Sequence, residues 1–272
     1  MILPDPYPAA SVAARRHAEI EWPREAIGYV IGNGEYVPLV NVHPDPENHV
    51  AISAEQEEEY RTEKVAVIHS HCLRTGEFHA ADGPLGAGPS EHDMRQQIAH
   101  ACPWGLVVVL DGHSQDTVIW WGDELGVVAP LLKRPFIHGV FDCYSIIRES
   151  YRTDAFGFVK DYFGMESVLL PEYPREFGWW SNRENGKEVK PKDIYREGFK
   201  LAGFAMIEQH QMRPGDVFLA SINCHGVTNH GGIYLGNGEI LHHYRGHLSK
   251  TDVASRWLNH VTHYLRYEGP KT

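Results

Sequence analysis

A tight hairpin near residue 237 constrains the fold of this chain more than any other feature. Gly236-Asn237-Gly238 separates two apolar segments, 230–236 and 239–244. Asn-Gly pairs favour the positive φ angles of tight β-turns, so the two segments are predicted to pair as antiparallel strands. His230 and His242, whose numbers differ by twelve, would then face each other across the ladder. Side chains that face each other across a ladder are close enough for one imidazole to orient the other.

Cys143 begins an amphipathic helix predicted over residues 143–152. Free N–H groups and the helix dipole favour a thiolate at a helix N-terminus, so we expect a lowered pKa for this thiol. A nucleophilic cysteine also needs an imidazole and a third group that orients the imidazole, which His230 and His242 could supply. The alternatives are a buried structural cysteine and two solvated histidines at a sheet edge. In the reactive interpretation, the backbone N–H of Cys143 is a natural oxyanion donor.

A second group of polar residues lies in the first half of the chain. His69 and His71 end an apolar segment that is predicted to form a buried strand, so both imidazoles project from one face. Ser90 and Asp93 are three apart at a predicted helix start, and Glu25 precedes a strand upstream. Two imidazoles, one carboxylate and one water make a four-coordinate zinc site, and a glutamate beside it can take a proton from the water.

Each of these features also has a simpler interpretation. A His-x-His pair such as His69 and His71 is often a polar decoration of a strand edge. Ser90-x-x-Asp93 matches a helix N-cap pattern, and Glu25 by itself is a surface acid. Only their order along the chain favours the metal site over these alternatives.

In that order, the residues resemble the JAMM/MPN metallopeptidase pattern of a Glu, then His-x-His-Pro, then Ser-x-x-Asp. The resemblance covers roughly residues 1–125 and implies roles for five residues: His69, His71 and Asp93 as ligands of Zn²⁺, Glu25 as the acid/base, and Ser90 as a helper that stabilises the oxyanion. The sequence departs from the pattern in two places. Cys72 replaces the usual proline, and a longer loop, 74–89, precedes Ser90.

The second half resembles the NlpC-type cysteine peptidases, papain-like enzymes that cut peptide stems of the bacterial cell wall. The motifs are Asp-Cys at a helix start, a His leading a Gly-Ile-Tyr-hydrophobic-Gly strand, and a second His twelve residues later. The resemblance implies Cys143 as the nucleophile, His230 as the base and His242 as the orienting residue. The side chain of His243 should point to the opposite face. Tyr144 follows the cysteine where many members have Ser, so the pocket there is expected to differ.

An α+β fold in two domains is predicted. The 272 residues fit two domains better than one, and prolines interrupt the pattern between Val127 and Pro135. Residues 1–127 are predicted to form a JAMM/MPN-like α/β sandwich, and residues 128–272 a papain-like domain with a helix packed on an antiparallel sheet. Residues 153–195 are predicted to be largely irregular.

Composition excludes several classes of partner. The net charge of −11, without any basic stripe, argues against nucleic-acid binding and against docking on an anionic membrane. No apolar run is long enough to span a bilayer, and no secretory signal is visible. Four scattered cysteines make a poor disulfide framework, which favours a reducing compartment during synthesis.

The two motif sets in one chain resemble the tail tip assembly proteins of lambda-like phages. The features that carry this resemblance are PREAIG, HSH, DCYSIIRESY, GWW, RPGDV and HHYRGHLS. It implies a peptidoglycan stem peptide as substrate, other tail tip proteins as partners, and residence in the host cytoplasm before the virion tail tip. The alternatives are a catalytically silent assembly factor of the tail and a host enzyme that acts on cytosolic peptides.

Overall fold

The computed structural model describes residues 3–75, 88–181, 183–184, 187–188, 191–224 and 226–269. The chain divides into two compact units, Leu3–Val127 and Val128–Thr272. Both units mix helices with a sheet, so the predicted α+β class is confirmed. Within the described residues, no helix has the length and apolar character that a bilayer crossing requires.

The described residues of the first unit form one six-stranded sheet and three α-helices. Its helices are α1 (Pro8–Glu21), α2 (Ala54–Tyr60) and α3 (Glu91–His100), and its strands are β1 (Ile27–Ile31), β2 (Tyr36–Leu39), β3 (Lys64–Leu73), β4 (Trp104–Leu110), β5 (His113–Ser114) and β6 (Ile119–Trp121). The strand order is β2-β1-β3-β4-β5, and β6 also pairs with β4. Only the β3–β4 pairing among these is parallel.

Helix α1 shows how the sequence builds this unit. Pro8 stands in its first turn, where no intrahelical N–H bond is lost. Ala10, Ala14 and Ala18 repeat every four residues and are buried, so the helix presents a flat apolar face to the core. Helix α1 ends at Glu21, and β1 and β2 pair on either side of the Gly32-Asn33-Gly34 turn.

The second unit is a helix packed on an antiparallel sheet, as predicted. Its helices are α4 (Cys143–Thr153), α5 (Phe158–Phe163) and α6 (Ile194–Gly198), and its strands are β7 (Arg183–Glu184), β8 (Lys187–Glu188), β9 (Phe204–Ile207), β10 (Val217–Ala220), β11 (His230–Gly236), β12 (Glu239–His242), β13 (Lys250–Val253) and β14 (Val261–Tyr267). Six strands form one sheet in the order β13-β12-β11-β10-β14-β9, and β7 pairs with β8 separately. Helix α4 contacts β11 and β12.

Strand β10 has an apolar core on each of its two faces. Val217 and Leu219 belong to the cluster that includes Ile146 and Ile147 of α4. Phe218 and Ala220 point the other way, into a smaller cluster. Because both faces are covered, the strand is an uninterrupted apolar run.

The structure corrects two predictions for the second unit and adds three strands. The segment 153–195 is not simply irregular, since α5 and the first residues of α6 lie in it. His242 pairs with Gly232 rather than with His230, because this part of the ladder is centred on Asn237, with Gly232 and His242 at equal distances from it along the chain. Strands β9, β13 and β14 were not predicted. Most of the predicted loop at 74–89 lies outside the described residues.

Candidate functional site

The start of α4 fixes the position of Cys143. Asp142 is the N-cap, and its Oδ1 accepts hydrogen bonds of 3.0 Å from the backbone N–H groups of Tyr144 and Ser145. In return, Ser145 Oγ accepts from the backbone N–H of Asp142 at 2.7 Å. This reciprocal cap makes Cys143 the first residue of the helix, with the local geometry that the sequence predicted.

A buried ion pair between Asp142 and Arg175 holds the capping carboxylate in place. Arg175 Nη2 lies 2.5 Å from Asp142 Oδ2, and Arg175 Nε lies 3.0 Å from the same oxygen. Burial would raise the pKa of Asp142, but the charge of Arg175, followed by His138 and the cap hydrogen bonds, lowers it to about 2. Asp142 is therefore ionised at neutral pH.

His230 and His242 form the imidazole pair that the hairpin predicted. His230 Nε2 lies 3.1 Å from His242 Nδ1, and both side chains are buried. Trp257 packs against both rings, with centroid distances of 5.3 and 4.5 Å respectively. Asp252 Oδ2 lies 3.9 Å from His242 Nε2, which is too long for a hydrogen bond. The hydrogen bond engages Nε2 of His230 and leaves Nδ1 as the nitrogen available to a thiol.

One cavity of about 280 Å³ brings Cys143 and His230 together. Aromatic and polar side chains make up the rest of its wall: Phe136, His138, Asp142, Trp179, Trp180, Tyr195, Ile222, Asn223, Asn229, His243, Tyr244 and Arg245. His243 also lines this cavity, while its neighbour His242 contacts His230.

Both reacting groups are neutral in this arrangement. Burial and then the charge of Asp142 raise the pKa of the Cys143 thiol to about 11, although hydrogen bonds from Tyr195 and the Gly231 backbone act in the other direction. Burial therefore outweighs the lowering of the thiol pKa that the helix N-terminus was expected to cause. Burial, and then His242, hold the pKa of His230 well below its usual range, so this imidazole is an unprotonated base at neutral pH.

Tyr195 is a site residue that the sequence did not reveal. Its hydroxyl lies 3.1 Å from Cys143 Sγ, although the two residues are 52 apart in the chain. It belongs to α6, at the end of the segment that was predicted to be irregular. Arg175 was missed for the same reason, since neither residue lies in a recognisable motif.

Cys224 is separate from this cavity wall. Its Sγ donates to the carbonyl oxygen of Val227 at 3.1 Å, and the hydroxyl of Ser221 donates to the carbonyl of Cys224 at 2.8 Å. These local contacts agree with an inert role for this cysteine.

In the first unit, the three predicted metal ligands lie together. His69 Nε2 is 3.4 Å from His71 Nε2 and 3.4 Å from Asp93 Oδ1, and His71 Nε2 is 3.2 Å from Asp93 Oδ2. Tetrahedral ligands at about 2.0–2.1 Å from zinc would be roughly 3.3 Å apart. The donor types and their separations therefore fit a zinc ion.

Ser90 and Asp93 form the helix cap that was the simpler interpretation of their spacing. Ser90 Oγ accepts from the backbone N–H of Asp93 at 3.1 Å, and the backbone N–H of Ser90 donates to Asp93 Oδ2 at 2.8 Å. The Ser90 hydroxyl also donates to Asp93 Oδ2 at 2.8 Å. The cap holds this carboxylate against His69 and His71, so capping and metal binding are compatible.

Glu25 and Cys72 are the other residues of the predicted metal-site pattern. Glu25 is buried, and burial raises its pKa to about 8, with opposing effects from His71 and Asp93. Cys72 Sγ donates to the carbonyl of Arg24 at 3.2 Å and packs beside the core, as expected for a packed cysteine. His92 is exposed, and His79 lies outside the described residues.

Comparisons with known proteins agree with the geometry of the second unit. Residues 133–266 match the NlpC/P60 family. The tail tip assembly protein K of Escherichia phage lambda is 30% identical over 211 residues, which cover 76% of this chain and 83% of that protein. The tail tip assembly protein K of Escherichia phage N15 is 28% identical over 263 residues, or 94% and 93% of the two chains.

Among solved structures, the NlpC/p60 domain of peptidoglycan hydrolase SagA matches 50% of this chain and 89% of its own, with 18% identity and a TM-score of 0.29. A protein of the NlpC/P60 family from Bacillus cereus matches 95% of this chain and 66% of its own, with 11% identity and a TM-score of 0.32. From its similarity to the phage lambda protein, the chain belongs to the tail tip assembly protein K family, and its second half carries an NlpC/P60 domain.

Proposed function

We propose that the second unit is a cysteine endopeptidase that hydrolyses an amide bond in the peptide stems of peptidoglycan. The observation that carries this proposal is the shared cavity of Cys143 and His230, with His230 hydrogen-bonded to His242. Nucleophile, base and orienting group are the three parts that thiol-dependent acyl transfer requires. The NlpC/P60 match over residues 133–266 supports the hydrolase class.

The reaction begins from the neutral pair. His230 accepts the proton of the Cys143 thiol as Sγ attacks the carbonyl carbon, and the carbonyl π electrons move onto oxygen. The backbone N–H of Cys143 donates to this oxyanion. His230 then protonates the leaving amine, the C–N bond breaks, and an acyl-enzyme remains on Cys143. Water, deprotonated by His230, hydrolyses the thioester and restores the thiol.

The biological setting in this proposal is the phage tail tip. Both relatives are named as tail tip assembly proteins, and they match along most of their length. We propose other tail tip proteins as partners, assembly in the host cytoplasm, and residence at the tip of the virion tail. A tail that contacts the cell wall would deliver the hydrolase to its substrate.

For the first unit, we propose a zinc-dependent peptidase site of the JAMM type in a JAMM/MPN-like domain. His69, His71 and Asp93 would hold the ion, and support comes from their separations of 3.2–3.4 Å. A bound zinc ion would supply an activated water and a Lewis acid. Glu25 would hold and release a proton beside it. Ser90 donates to Asp93 and would also help to stabilise an oxyanion. A peptide or isopeptide bond is the proposed substrate.

Digestion of purified sacculi tests the lytic proposal. The full-length protein should release soluble muropeptides, and Cys143→Ala should abolish the release. Cys224→Ala is the matched control, because this cysteine has its own local hydrogen bonds and should leave the activity unchanged. If neither the wild type nor the Cys143→Ala variant releases muropeptides, the lytic proposal is wrong.

A second candidate is an assembly factor whose site does not turn over. The observation that favours it is the thiol itself, which is 7% exposed and has a pKa of about 11. Complementation of a phage lacking this gene separates the two functions. If Cys143→Ala restores infectious tails as well as the wild type does, assembly alone accounts for the requirement.

A further inference from the structure

We propose that the Tyr195 hydroxyl is a hydrogen-bond donor to the reacting centre, first to the Cys143 thiolate and then to the oxyanion. The inference starts from the 3.1 Å distance between Tyr195 Oη and Cys143 Sγ inside the cavity. It rests on the proposed peptidase function and adds the second oxyanion donor, beside the backbone N–H of Cys143.

The position of Tyr195 is held from two sides. Asp193 caps α6 by accepting from the backbone N–H of Arg196 at 3.0 Å, and the same carboxylate accepts from the backbone N–H of Thr228 at 3.0 Å and from its hydroxyl. Thr228 lies two residues before His230, so Asp193 ties the tyrosine-bearing helix to the strand that carries the base.

Aromatic neighbours fix the ring itself. Trp179 meets Tyr195 edge-on with a centroid distance of 5.1 Å, and Tyr144 lies 6.4 Å away on α4. A hydroxyl that is held by packing loses little freedom when it donates, which is the condition for effective oxyanion stabilisation. The packing around the Tyr195 ring therefore fixes the contact between its hydroxyl and Cys143 Sγ.

The charge state of Tyr195 makes it a donor. Burial, followed by the charge of Cys143, raises its pKa well above the usual range, so the phenol keeps its proton at neutral pH. A thiolate has no proton to give, so the hydroxyl must donate once Cys143 is deprotonated. Charge-assisted hydrogen bonds of this kind are stronger than neutral ones.

The proton balance leaves Tyr195 unchanged through the cycle. The thiol proton goes to His230 and then to the leaving amine, while the C–S bond forms and the C–N bond breaks. As negative charge moves from sulfur to the carbonyl oxygen, the Tyr195 O–H shifts its hydrogen bond from one to the other. The two acceptors are joined through a single carbon, so one fixed hydroxyl can reach both.

The Tyr195→Phe variant of the full-length protein tests the proposal through two readouts. The first is alkylation of Cys143 by iodoacetamide against pH, followed by peptide mass spectrometry, which needs no substrate. Loss of the donor should raise the alkylation midpoint by about one pH unit. The second is hydrolysis of soluble stem peptides, where kcat should fall about 10²-fold while KM changes little.

Tyr173→Phe is the matched control. The Tyr173 hydroxyl lies 3.5 Å from the Gly198 carbonyl oxygen, and Tyr173 is not among the described residues that line the cavity. Tyr173→Phe should leave both readouts unchanged. An unchanged alkylation midpoint and an unchanged kcat in a folded Tyr195→Phe variant would overturn the inference while the peptidase function stands. If the wild type cleaves nothing but Tyr195→Phe raises the alkylation midpoint, the donor role to the thiolate is supported and the peptidase function is the part that fails.

Discussion

His230 and His242 meet diagonally across the β11–β12 ladder rather than directly opposite each other. The Cα partner of His242 is Gly232, yet His230 Nε2 and His242 Nδ1 are 3.1 Å apart. Diagonal neighbours in antiparallel sheets are within reach of long or aromatic side chains. The alignment of the base therefore depends on the close packing of β11 and β12 at Gly232.

We expect Gly232→Ala to disrupt this alignment. A Cβ at Gly232 would lie 2.5 Å from the Leu241 carbonyl oxygen and 2.9 Å from His242 Cβ, so β12 must shift. Thermal unfolding should show a loss of roughly 1–3 kcal/mol, and muropeptide release should fall at temperatures where the variant is still folded. Gly32→Ala has open space around its Cβ and serves as the control. Retention of full stability and activity by Gly232→Ala would contradict this prediction.

The Asp142–Arg175 pair should stabilise the second unit strongly. Asp142→Asn keeps a good N-cap side chain but leaves the buried Arg175 guanidinium without its anionic partner. We expect a loss of about 3–5 kcal/mol in the free energy of unfolding, measured with urea at pH 7. A loss below about 1 kcal/mol would mean that the cap, and not the ion pair, supplies the stability.

The stability of the second unit should depend on the protonation of His243. Burial lowers the pKa of His243 from 6.5 to about 4. Its unfolded state therefore takes up a proton below pH 6.5, whereas the folded state does so only near pH 4. The contribution is complete above pH 6.5 and is lost as the pH falls to about 4, with a total of roughly 3 kcal/mol.

His243→Gln removes this contribution and keeps a polar side chain in the cavity. As the pH falls from 6.5 to 4, the unfolding free energy of the wild type should decrease more than that of the variant. Urea titrations across that range measure it. The histidines His230 and His242 titrate in both proteins and largely cancel in the difference. A difference that is constant with pH would show that His243 does not titrate in this range.

The first unit should bind one zinc ion per chain. Isothermal titration calorimetry of metal-free protein with zinc should give a 1:1 complex. His69→Ala and His71→Ala should each lower the zinc affinity by more than the roughly 10- to 100-fold loss that follows when a hydrogen-bond partner of a ligand is removed. His92→Ala, on the exposed side of α3, is the control and should bind zinc normally. A protein purified without zinc that takes up none when it is added would contradict the ligand assignment.

The sequence was informative where function and local structure coincide. The Gly236-Asn237-Gly238 turn predicted the hairpin, and Asp142-Cys143 predicted the helix start, because turn and cap chemistry act between near neighbours. The His69 and His71 pair was likewise visible as two side chains on one face of a strand.

The parts that the sequence did not reveal depend on contacts between distant segments. The direct pairing of His230 with His242 was wrong although the rings do meet, because the β11–β12 ladder is centred on Asn237 and pairs His242 with Gly232. Tyr195 reaches Cys143 from 52 residues away. The pKa of Cys143 follows from its burial, which outweighs the helix N-terminus and depends on that tertiary packing.

Acid quenching during the first turnovers, followed by mass spectrometry, tests the central claim most directly. Wild-type protein mixed with soluble stem peptides should carry a thioester adduct on Cys143, with the mass of the acyl fragment whose partner amine is released. The adduct should be absent in Cys143→Ala. Peptide cleavage without any adduct on Cys143, or with cleavage retained in Cys143→Ala, would contradict the assignment of this thiol as the nucleophile.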